Sequence, residues 1–148
     1  RAPTYPDPQA DQGLHQFRFA LYPHEGSPQS AGVTEEAYRF NVPILTAQTS
    51  GLDIQQSFFS IDNPALVLDT VKKAEDGEGI ILRFYESRGT RGTAQLTSSL
   101  PITSAMLVNL LEDEVRPLHW LDGATLEFKP FELITIRLDV VNAKVSEL

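Results

Sequence analysis

The chain has 148 residues and a formal net charge of −8, with 41% hydrophobic and 22% charged residues and no cysteine. That length bounds it to one domain or two small ones with a core of their own, and the composition excludes a disordered tail. The lack of cysteine excludes disulfides, thiolate nucleophiles and Cys-ligated zinc, and the acidic balance argues against a nucleic acid or an anionic membrane as partner.

No apolar run approaches the roughly 20 residues that span a bilayer. The opening Arg1-Ala2-Pro3, in place of Met and a basic, apolar targeting segment, reads as a processed chain or a piece of something longer. Pro3, Pro6 and Pro8 block helix and ladder hydrogen bonds, which predicts an extended, docked loop up to Asp11. From Leu14 to Leu21, Phe17, Phe19 and Leu21 recur two apart, the period of a half-buried strand, and Pro23 to Pro28 is a turn cluster. A short helix follows, with Thr34 expected as its cap, Glu35 and Glu36 in its first turn and Pro43 beyond its end. Small polar residues between Ala47 and Gln55 mark the internal boundary, so the chain divides into 1–47 and 56–148.

Beyond that boundary the pattern is strand after strand. Ser57–Ile61 is followed by Leu66–Lys73 and then by Ile80–Glu86, where Ile80, Leu82, Phe84 and Glu86 share one face and Ile81, Arg83 and Tyr85 the other. Gly89 and Gly92 give a hairpin-length connection into Thr93–Thr97, and further strands are expected at Ala105–Leu111, Thr125–Phe128 and Leu133–Val141, with Asp122-Gly123 as a turn. Short strands at this spacing predict a mainly β fold, an antiparallel, immunoglobulin-like sandwich preceded by one short helix. Its expected core is Phe58, Leu66, Leu68, Ile80, Leu82, Phe84, Leu107, Leu110, Phe128, Ile134, Ile136 and Leu138.

The residues offer little catalytic chemistry. His15, His24 and His119 include no pair at the i, i+4 spacing of a helical zinc motif, so no metal site is expected. No Gly-x-Ser-x-Gly or Ser-x-x-Lys pattern occurs, and Gly89-Thr90-Arg91-Gly92 lacks the Lys-Ser or Lys-Thr ending of a phosphate loop. Glu75-Asp76 and Glu112-Asp113-Glu114 fall in expected turns and read as solvated surface rather than as a glycosidase pair, which needs its carboxylates about 5 to 10 Å apart in a pocket. Trp120 reads as packing at the sandwich rim, the alternative being a sugar-stacking platform together with Tyr22.

The run Arg1 to His24, with its Pro-Thr-Tyr-Pro-Asp-Pro core and Phe17-Arg18-Phe19-Ala20-Leu21-Tyr22-Pro23-His24, resembles a segment in the C-terminal half of the glycoside hydrolase family 38 α-mannosidases of the cytosolic and vacuolar type and their bacterial relatives. Two further blocks follow in the family's order: Asn63-Pro64 through Asp69–Asp76 to Leu82–Glu86 and Gly89, and then Asn109–Glu112 with Phe128–Thr135. The resemblance implies a retaining exo-α-mannosidase whose Asp nucleophile and divalent metal, zinc or another, sit in an N-terminal catalytic domain matched by no position here. It implies that 1–47 belongs to the large sandwich and 56–148 to a small C-terminal sandwich, that this chain holds no catalytic residue, metal ligand or cofactor, and that it is inactive alone. The expected partners are the N-terminal catalytic region and, in the complete enzyme, an α-mannoside. Loops from the large sandwich approach the sugar in such enzymes, which makes Arg1, Tyr5, Asp7 and Asp11 the candidate substrate-proximal residues. Missing partner strands would leave Leu14–Leu21 as an unpaired edge, favouring association with the rest of the enzyme or a homo-oligomer. The branch it resembles and the missing cysteines place it in the cytoplasm. The alternative is an independent carbohydrate-binding or protein-interaction module.

Overall fold

A computed structural model describes residues 12–46, 48 and 55–141. Its elements in chain order are α1 (Val33–Asn41), β1 (Phe59–Ile61), β2 (Leu66–Lys73), β3 (Ile80–Glu86), β4 (Gly92–Ser98), β5 (Ile102–Val108), β6 (Glu114–Leu118), β7 (Ala124–Phe128) and β8 (Leu133–Val140). The strands form a three-stranded antiparallel sheet, β1-β4-β7, facing a five-stranded antiparallel sheet, β2-β3-β8-β5-β6. The expected mainly β sandwich with one short helix is the observed architecture.

The period of two explains the packing. On β7, Ala124, Leu126 and Phe128 are buried while Thr125 and Glu127 alternate outward. Leu82 and Phe84 of β3 meet Ile134, Ile136 and Leu138 of β8 in the five-stranded sheet, and Ala94 and Leu96 of β4 close on them from the other sheet. Trp120 packs against this core, as the rim reading expected. Leu82 is completely buried, so Leu82→Ala should lower unfolding stability by about 3 kcal/mol, read as a shifted urea midpoint at unchanged slope. At the start of β7 a Cβ on Gly123 would lie 2.6 Å from the Leu96 carbonyl oxygen, so only glycine lets the turn approach β4 this closely.

Several expectations need correction. Phe58 and Leu110 are about half exposed and are not core. Phe59 and Ile61 take the inward positions of β1, so period-two alternation turns Phe58 out. Leu110 lies past the end of β5 in a turn. Gly89 and Gly92 do not close a hairpin, because β3 pairs with β2 and β8 while β4 pairs with β1 and β7; the segment carries the chain from one sheet to the other. β6 was not foreseen, since Pro117 and its charges obscure an edge strand that tolerates both. Residues 14–21 form no strand, having no ladder partner among the described residues. Thr34 is not the cap: α1 starts two residues earlier than that cap implies, at Val33, entered through Gly32 at φ 69° with no side-chain cap bond.

Candidate functional site

The chain's chemistry gathers where the β3 end of the sandwich meets α1. Glu86 ends β3 on the inward face, after Ile80, Leu82 and Phe84, and is 1% exposed. Its Oε1 accepts from the Arg88 and Thr90 backbone N–H groups and the Thr90 hydroxyl, and its Oε2 from the Gly89 and Phe131 N–H groups, all at 2.9–3.0 Å. Burial pushes this carboxyl up, but the N–H groups of Phe131, Thr90 and Arg88 outweigh it and hold it at about 2. One carboxylate thus ties the β3–β4 connection to the β7–β8 turn. It also stabilises Phe131 in the left-handed region, at φ 58°.

That connection presents Arg88, whose guanidinium pairs with Glu35 of α1 at 2.8 Å and holds the Glu35 carboxyl below its usual range. One turn on, the Tyr38 hydroxyl donates to Asp69, at the irregularity between Leu68 and Thr70 in β2. The bond to Asp69 pushes the Tyr38 phenol up to about 12 and draws the Asp69 carboxyl down. Two polar clamps therefore seat α1 on the sandwich. Tyr38→Phe combined with Arg88→Ala should speed amide exchange across α1 by removing about 1 kcal/mol per contact, leaving the β3 and β8 amides unchanged. The Tyr38 clamp is present below the ordinary phenol range, near pH 10, and is lost as pH rises toward about 12.

The helix in turn orients residues 17–22. Arg18 stacks on Phe40 at 5.1 Å from the ring centroid and donates to the Phe40 carbonyl, and the Tyr22 hydroxyl donates to the Ala31 carbonyl. Phe19 and Leu21, between these anchors, and Phe17, just before them, stand 85%, 92% and 84% exposed, and Leu14, Ile44 and Leu45 are 90–92% exposed. This is a large apolar surface held in a defined orientation with nothing covering it among the described residues.

On the outer face of the five-stranded sheet, Glu112 also departs from expectation, since its side chain is only 7% exposed rather than solvated. It pairs with Lys72 at 2.7 Å and accepts from the Glu75 backbone N–H at 2.8 Å, contacts that hold its carboxyl low. Asn109 shapes that turn by accepting from the N–H groups of Leu111 and Asp113 through its side-chain oxygen, and Glu112 itself sits at φ 71°.

None of these carboxylates is free for acid–base work at neutral pH, because each is engaged by donors that favour its charged form. No group of three His, Asp or Glu side chains suited to a metal ion occurs among the described residues. The candidate substrate-proximal residues Arg1, Tyr5, Asp7 and Asp11 lie outside the described residues. The sequence reading placed Glu86 on the apolar face but drew nothing from it. The available signal was an acidic residue at an inward position just before a Gly-containing turn rich in N–H donors.

Residues 65–136 match the family described as the C-terminal β-sandwich domain of the glycosyl hydrolases family 38. Over 93% of its length the chain is 41% identical to the α-mannosidase 2C1 of Homo sapiens, 37% to the α-mannosidase G of Dictyostelium discoideum and 25% to an α-mannosidase of Saccharomyces cerevisiae. It spans only 13–15% of the length of these relatives.

Proposed function

Since residues 65–136 are a C-terminal β-sandwich domain of glycosyl hydrolase family 38, we propose that the chain is the non-catalytic C-terminal portion of a retaining exo-α-mannosidase and packs on the catalytic region of the same polypeptide. The observation that carries this reading is the oriented row Phe17, Phe19 and Leu21, left 84–92% exposed in a chain whose relatives are about seven times longer. Covering such side chains is worth roughly 1.5–3 kcal/mol each, a strong drive for docking. The family resemblance assigns the zinc or other divalent metal and the Asp nucleophile to that upstream region. Hydrolysis of terminal α-mannosides is the activity of the assembled enzyme, in the cytoplasm. There the proline-stiffened segment with Arg1, Tyr5, Asp7 and Asp11 lends polar groups to the sugar site, so alanine at Arg1 or Asp7 should raise KM more than it lowers kcat.

Calorimetric titration of the chain with the separately produced upstream region tests the docking. The expected result is one-to-one binding with a large negative heat-capacity change, the signature of apolar burial. Binding of mannose or mannobiose by the chain alone, with none of the upstream region, would instead establish an independent carbohydrate-binding module.

A further inference from the structure

Four strand edges bound the two sheets, and three of them are closed to further pairing. β1 has only three residues; β2 is irregular at Asp69, where Tyr38 of α1 bonds to it; and β6 carries Pro117, which has no N–H to donate. The fourth is different. β7 (Ala124–Phe128) pairs regularly with β4 on one side, contains no proline, lysine or bulge, and has no partner on its other side among the described residues.

At the Phe128 end of the β4–β7 pair lies an open groove of about 440 Å³, lined by Gly92 and Thr93 of β4 as well as by Arg91 from the β3–β4 connection, Arg116 of β6 and Lys129 from the β7–β8 turn. Elsewhere among the described residues Arg18 stacks on Phe40 and Lys73 stands alone on β2, while Arg39, Lys72, Arg83, Arg88 and Arg137 are in ion pairs. Arg91, Arg116 and Lys129 form none among the described residues, although the chain carries eight net negative charges. Glu127 and Glu132 lie in the same groove, Glu132 accepting from the Lys129 backbone N–H, so three cations there face two carboxylates. A free, regular strand edge next to three unpaired cations, in a chain that is acidic overall, suits an extended acidic segment: backbone bonds give the affinity and the cations choose the sequence.

We propose that β7 accepts an additional strand, an acidic extended segment of the upstream polypeptide, whose carboxylates meet Arg91, Arg116 and Lys129. This rests on the reading that the chain is part of a longer enzyme, whose relatives have more than four-fifths of their length outside the region matched here.

Amide hydrogen exchange tests it, on the chain alone and on the full-length enzyme with and without the charge reversal R91E/R116E/K129E at three exposed positions. The β7 amides directed away from β4 should exchange about 100-fold more slowly in the full-length enzyme, and the triple reversal should remove that protection while lysine or arginine swaps at the same sites retain it. Equal β7 exchange in chain and full-length enzyme overturns the proposal, as does protection already present in the chain alone, which would mean pairing with a second copy or within the chain. Protection gained by residues 14–22 but not by β7 overturns this proposal and leaves the docking reading standing; protection gained by neither overturns both.

Discussion

Replacing Glu86 with Gln should destabilise the chain by about 3 kcal/mol at neutral pH, more than any exposed substitution, although the side chain keeps its size. The carboxylate accepts five hydrogen bonds while 1% exposed. An amide has one acceptor oxygen, so if that oxygen keeps Arg88 and Thr90, the new NH2 group is forced against the N–H groups of Gly89 and Phe131. The pH dependence follows from the depressed carboxyl. A folded-state value of about 2 against 4.5 unfolded stabilises the charged form by about 3 kcal/mol. That stabilisation is complete above the unfolded value and disappears as pH falls from about 4.5 toward about 2. The gap between native and E86Q chains, measured by urea unfolding, should therefore be widest near neutrality and close in acid. A constant gap across that window would mean that the hydrogen bonds do not favour the charged form.

The second large effect is expected on assembly rather than on folding. The triple replacement of Phe17, Phe19 and Leu21 by Ser should weaken docking to the upstream region by about 5 kcal/mol, a more than thousandfold loss of affinity, since three exposed side chains of this size are covered there. The same change should leave the chain's own unfolding midpoint within about 0.5 kcal/mol of the original, because these side chains stand outside its core, and should raise its solubility. A loss of intrinsic stability equal to the loss of binding would place these residues in the chain's own core instead. The two predictions are linked through one contact chain. Glu86 fixes the segment that carries Arg88, Arg88 and Asp69 hold α1, α1 holds Arg18 within the exposed row, and Ala31, just before the helix, holds Tyr22 at the row's end.

What the sequence discloses follows from how local each signal is. β7 is legible because its alternation is strict and one face is buried, and β3 and β8 because their apolar runs bury residues of both faces, such as Leu82 and Ile81. β6 is not, because an edge strand is under little pressure to alternate and can hold Pro117. The Gly89-Gly92 connection looks like a hairpin, yet Glu86 draws its N–H groups inward and the chain changes sheets, an outcome set by a contact with Phe131, 45 residues away in sequence. Phe17, Phe19 and Leu21 announce a strand correctly in period, but a ladder needs a partner and the described residues contain none. Glu112 shows the limit from the other side: its pairing with Lys72 and the Glu75 N–H exists only once β2 and the β5–β6 turn are brought together. Arg91, Arg116 and Lys129 lie in three separate connections and strands, so the charged groove beside β7 has no signature along the chain.

The most direct test is α-mannosidase activity on an aryl α-mannoside, measured for this chain alone with added zinc or cobalt and then after mixing with the separately produced upstream region. Turnover is expected only on mixing, with the Phe17, Phe19 and Leu21 replacement abolishing the gain. Turnover by the chain alone would contradict that expectation, and would mean that carboxylates described here as structural form a working active site.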